Sequence, residues 1–130
     1  MPYRPTSHRA TSADVRRYWN QHIHDLEMTS HPVGSPGFFA DLDEYHFDKL
    51  HHLLRLVDFD GYRGRRVLEV GCGAGVDLVR FARGGARATG VDIADSAIAL
   101  ARKNLGFQKL QAALCVANGE GLPFEDGVFD

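Results

Sequence analysis

The segment Val67–Leu78, "VLEVGCGAGVDL", constrains the fold more than any other stretch of this sequence. A short apolar run bounded by turn residues is the pattern of a buried parallel strand. It leads directly into three glycines within five residues, Gly71, Gly73 and Gly75, and then into a helical pattern that runs to Arg83. A strand, a glycine-rich turn and a helix in that order bring backbone amides and a helix N-terminus to the carboxyl edge of a sheet. Open α/β folds bind their ligands at that edge. Glycine has no Cβ, so the chain can turn tightly and a ligand can touch the backbone.

The rest of the C-terminal half continues the alternation. "ARATGVD" reads as a second strand, and "SAIALARKNL" as a helix capped by Asp95 and ended by Gly106. "QAALCVA" is a third strand and "GVFD" the opening of a fourth, while Gly84–Gly85 closes the helix after the glycine loop. The pattern predicts an α/β fold: a Rossmann-like doubly wound parallel sheet, incomplete here, with strands 1–3 and the start of a fourth.

Upstream, the texture is helical. Residues 1–10 carry two prolines and no apolar period, as in a flexible leader. Thr11 and Asp14 have the spacing of a capping box. The helix they open puts Val15, Tyr18, Trp19, His22 and Leu26 on one face. "TSHPVGSPG" (29–37) then breaks the pattern. A second helix is expected from about Phe39 to Val57, burying Leu42, Tyr45, Phe47, Leu50, Leu53, Leu54 and Val57. The expected organisation is a leader (1–10), a helical lid or cap segment (11–60) and an α/β domain (61–130).

Composition narrows the classes of function. With 15 basic and 17 acidic residues the chain has no general nucleic-acid footprint. The two cysteines, Cys72 and Cys115, have neither disulfide-framework nor zinc spacing, which points to a reduced, cytoplasmic setting. No run approaches the length of a membrane span, and the N-terminus lacks the apolar core of a secretory signal. "HIHD" (22–25) invites a metal, but His22 and His24 would point apart on a helix, so no metal site is expected. His51–His52 reads as a polar helix edge, and His46 as a weak candidate base.

Which ligand the loop holds follows from its details. A dinucleotide fingerprint needs a small residue at its sixth position, where this chain has Val76. Glu69 lies two places before the first glycine, and a carboxylate there suits a cationic ligand better than a diphosphate. Asp92 ends the second strand, where it can accept hydrogen bonds from both hydroxyls of a ribose.

Residues 67–130 closely resemble the class I methyltransferases that use S-adenosylmethionine (SAM). They are most similar to the small-molecule group that includes ubiquinone- and menaquinone-biosynthesis enzymes. The resemblance rests on "VLEVGCGAG", "TGVDIADSAIALARKN" and "ANGEGLPFEDGVFD", in that order and at the right spacing. It implies that Glu69, Gly71, Gly73 and Gly75, with Cys72 among them, seat the methionyl part of SAM and leave room for its ribose. By the same carry-over Asp92 holds the ribose, Ile93 packs on the adenine face, and Asn118 and Gly119 meet the adenine edge. The family usually has Asp where this chain has Asn118. An amide keeps the contact possible without the charge. In the turn that follows, Leu122 and Phe124 are expected to anchor the loop in the core.

The implied function is methyl transfer from SAM to a small-molecule acceptor, with Tyr18, Trp19, His22 and His24 of the lid as candidate lining and no nameable catalytic base. The family sheet has seven strands, so the chain is expected to be the cofactor-binding part of a longer enzyme. Its first strand would then form an exposed edge open to self-association. Two alternatives stay open: a non-catalytic SAM-binding or assembly module, and an NAD-dependent oxidoreductase, against which Val76 and Glu69 argue. A nucleic-acid acceptor ranks below a small molecule because the charge is balanced. The acceptor, the methylated atom and the oligomeric state are not encoded in any recognisable motif.

Overall fold

A computed structural model describes residues 9–22 and 26–130. Expectations for residues 1–8, for His24 and for the Leu26 side chain lie outside the described residues. The order of elements is α1 (Ser12–Gln21), a 3-10 turn (Leu26–Met28), α2 (Pro36–Lys49), α3 (Leu53–Leu56), β1 (Arg66–Val70), α4 (Val76–Arg83), β2 (Arg87–Asp92), α5 (Asp95–Gln108) and β3 (Ala113–Val116). The strands form one parallel sheet in the order β1-β2-β3, with Glu69 beside Gly90 and Asp92 beside Val116. This is the alternating α/β architecture that the sequence predicts.

Two apolar clusters hold it. Leu78 and Val79 of α4 and Leu105 of α5 close on Ala88 of β2, with Phe81, Leu110 and Leu114 around them. Fully burying a side chain such as Leu78 stabilises the fold by about 1.5–3 kcal/mol. The second cluster joins Phe38, Phe39 and Leu42 of α2 to Leu100 of α5, and it packs against Ala74 and Val76 beside the glycine loop. One helix of the N-terminal segment is thereby seated on the loop. Arg80 of α4 adds a polar clamp, its guanidinium 3.7 Å from the Phe47 ring centre and donating to both oxygens of Asp43 at 3.3 and 3.0 Å.

Several boundaries differ from the sequence reading. α2 begins at Pro36, with Ser35 capping the Phe38 amide, because a proline in the first turn starts a helix as readily as it breaks one. The expected helix to Val57 is broken at Leu50–His52 and resumes only as the single turn α3. Its burial differs too: Leu42 and Phe47 are buried, whereas Tyr45 and Leu54 are exposed and Phe38 and Phe39 take the core. Asp95 does not cap α5. It is the first helical residue, Ala94 occupies the cap position with no side-chain bond, and the Ser96 amide donates instead to Asn20 of α1 at 3.1 Å. Gly106 stays inside α5, which ends at Lys109 in the left-handed region (φ 55°).

α1 has the expected capping box, with Thr11 and Asp14 bonded reciprocally, but it buries no residue, and Tyr18 is half exposed. Gly84–Gly85 closes α4 as expected, the amides of Gly85 and Ala86 bonding back to Ala82 and Phe81. Among the described residues β1 has a paired strand on one side only, and Val70 is 54% exposed, consistent with the expected edge. "GVFD" is not a strand. Even so, the Asp130 amide donates to the Arg66 carbonyl at 2.8 Å, which lays that segment along the open side of β1. Leu122 is exposed rather than anchored, and only Phe124 is half-buried, edge-on to Phe129. Among the described residues no helix is long and apolar enough to cross a membrane.

Candidate functional site

The carboxyl ends of the three strands bring the sequence-predicted residues together. Gly71, Gly73 and Gly75 all adopt positive φ (75°, 54° and 80°), so the loop after β1 is a run of alternate left-handed residues. The reasons for glycine differ along it. A Cβ at Gly75 would approach the Cβ of Ala101 in α5 at 3.2 Å, so this glycine serves helix packing. A Cβ at Gly73 would meet nothing within 4 Å, so this position borders open space.

The loop is fastened from beneath and from both sides. The amides of Gly71 and Cys72 donate to the Val91 carbonyl at 2.8 and 3.0 Å. Asn104, buried within the apolar stripe of α5, donates through Nδ2 to the Ala74 carbonyl at 3.1 Å. Asp92 carries the rest: one carboxylate oxygen accepts from the Gly73 amide and the other from the Ala94 amide, each at 2.9 Å. Asp92 therefore shapes the loop, a role the sequence reading missed.

The remaining predicted residues fall around this point. Ile93 is half-buried just after Asp92. Gly119 lies close to the end of β1, where an added Cβ would reach Val70 Cγ1 at 3.2 Å. Asn118 is held at both ends: Nδ2 donates to Ser12 Oγ of α1 at 2.9 Å, and Oδ1 accepts from the Glu120 amide at 3.0 Å. Cys72 differs from the rest, because its side chain is buried under the sheet, against the position a Gly90 Cβ would occupy. Burial, with Glu69 and Asp92 nearby, pushes its thiol up to about 12, so it is a neutral space-filler and only its backbone belongs to the loop.

Electrostatically the site is acidic. Burial, and then the neighbouring carboxylates of Asp77 and Asp92, push Glu69 up to about 8. Asp77, in the first turn of α4, meets His46 Nε2 of α2 at 3.1 Å. His46 is thus a partner of the loop helix. The sequence offered no sign of that pairing. Among the described residues no group of three or more His, Cys, Asp or Glu side chains could hold a metal ion. A hollow of about 960 Å³ lies at the opposite, amino-terminal end of the strands beside Arg66, Arg87 and Ala113.

A methyltransferase-domain family matches residues 67–130, the segment that carries the glycine loop, Asp92 and the Asn118 turn. Residues 67–130 belong to the class I SAM-dependent methyltransferases. The chain is 36% identical over 96 residues to a malonyl-[acyl-carrier protein] O-methyltransferase of Geobacter sulfurreducens, covering 70% of this chain and 36% of that protein. It is 41% identical over 64 residues to a ubiquinone biosynthesis O-methyltransferase of Aromatoleum aromaticum, covering 45% and 27%. The chain thus spans about a third of the length of these relatives.

In three dimensions the methyltransferase domain and its helical segment resemble a geranyl diphosphate C-methyltransferase of Streptomyces coelicolor A3(2), solved with S-adenosyl-L-homocysteine (SAH). The TM-score is 0.65 at 22% identity, over 91% of this chain and 51% of that one. That likeness establishes the Rossmann-like fold.

Proposed function

We propose that this chain is the cofactor-binding part of a SAM-dependent methyltransferase that acts on a small-molecule acceptor. The observation that carries the reading is the Gly71–Gly75 cradle, open above Gly73, with Asp92 fixed at its lip. The residues suit the cofactor chemically. Glu69 offers a carboxylate to a cationic ligand, Asp92 retains acceptor capacity toward ribose hydroxyls, and Asn118 presents an amide to an adenine edge. Bound SAM supplies an activated methyl group on sulfur, ready for in-line displacement. The protein's part is to hold the adenosyl end, to orient the acceptor and to exclude water.

Residues 11–60 serve as the lid. α1 bridges the Asn118 turn and the start of α5 through Ser12 and Asn20, so it lies across the nucleoside end. An oxygen nucleophile on the acceptor is the choice that the two O-methyltransferase relatives support.

Calorimetric titration tests the cofactor. SAH is expected to bind with NAD silent, since Val76 stands where a dinucleotide site needs a small residue. Binding of NAD without SAH would replace this reading with an oxidoreductase.

A further inference from the structure

The hollow at the amino-terminal end of the strands, about 960 Å³, is large enough for a small ligand, and no residue assigned to the cofactor lines it. Its charged lining is of one sign. Arg66 at the start of β1, Arg87 at the start of β2 and Arg102 of α5 line it, and among the described residues no Asp or Glu does. That reverses the sign of the whole chain, whose net charge is −2. Arg66 and Arg87 also stand side by side in the strand register, where like charges repel. Asp130 relieves only the first of them, accepting from Arg66 Nε at 3.3 Å and Nη2 at 3.0 Å. Arg87 and Arg102 are exposed, and neither pairs with a carboxylate among the described residues.

The walls differ in kind. Leu110, Leu114, Phe124 and Phe129 line the hollow and are only half-buried, so apolar surface is left uncovered there. Among the described residues Thr89 and Gln111 are its only neutral polar side chains, too few to read a sugar or a base. Two free guanidinium groups and an apolar wall suit a single anionic head on an apolar body.

We propose that this hollow binds a fatty carboxylate, with its head on Arg87 and Arg102 and its chain against the leucine and phenylalanine walls. The planar guanidinium fork matches a carboxylate, and each methylene taken out of water adds to affinity. The site is one of binding, with no covalent step. It shares no residue with the glycine loop, Asp92 or the Asn118 turn, so it stands independently of the cofactor assignment.

The test is amide NMR of the whole chain titrated with decanoate below its micellar concentration, with decanol and decyl phosphate as parallel probes. Decanoate should move the amides of Arg87, Ala113, Leu114 and Phe129 and leave Gly71, Gly73 and Gly75 in place. Decanol should bind roughly tenfold more weakly or worse, because it forgoes hydrogen bonds between charged groups. The double variant Arg87→Gln with Arg102→Gln should lose a similar factor for decanoate, keep its decanol affinity and unfold in urea as the wild type does. Equal binding of decanol and decanoate, or a double variant that keeps full decanoate affinity, would overturn the proposal. So would no response to decanoate, or shifts centred away from the hollow. Tighter binding of decyl phosphate would replace the carboxylate head with a phosphate, and binding to phosphatidylglycerol vesicles without a response to monomeric decanoate would replace the ligand with a membrane surface.

Discussion

Asp92→Ala is expected to weaken SAH binding by about 1–3 kcal/mol, a loss of roughly fivefold to more than a hundredfold in affinity. Two effects combine. The proposed ribose acceptor disappears, and the amides of Gly73 and Ala94 lose the oxygens that hold the loop in shape. Asp92→Asn separates them, since one carbonyl oxygen can still serve one amide while the other amide faces an NH2 group. Asn should therefore fall between the wild type and Ala. Calorimetric titration of variants shown by circular dichroism to be folded is the measurement. An Asp92→Ala protein that binds SAH within twofold of the wild type would remove Asp92 from the site.

Phe38→Ala should cost about 3–5 kcal/mol of stability, read from urea unfolding. Phe38 is fully buried where α2 meets Leu100 of α5 and the residues flanking the glycine loop. Truncation leaves a cavity between α2 and α5. Phe107→Ala is the control, because that ring is half exposed and should cost far less. A Phe38→Ala loss below about 1 kcal/mol would mean that α2 is not anchored as described.

What was legible in the sequence was local. The strand, glycine loop and helix announce themselves within a dozen residues, and the Thr11–Asp14 box within four. Features that depend on partners distant in the chain left no such mark. Ser12 meets Asn118 across 106 positions, and His46 meets Asp77 across 31. Gly106 looked like a stop, yet its Cβ direction is open and nothing forces the chain to turn there. The left-handed Lys109 ends α5 instead. Glycine at 90 was equally silent, although a Cβ there would strike Leu78 at 2.8 Å and Cys72 Sγ at 3.0 Å. Asn104 could have been found, as a polar residue among Leu100, Ala101 and Leu105 on a buried face needs a partner, and the Ala74 carbonyl is that partner.

The proposed cofactor site is the carboxyl edge of the sheet and not the hollow at its other end. Backbone amide NMR during titration with SAH tests it most directly. The largest shifts are expected at Gly71, Gly73, Gly75, Asp92, Ile93, Asn118 and Gly119. Shifts centred instead on Arg66, Arg87, Ala113 and Phe129 would place the ligand in the opposite hollow and contradict the account.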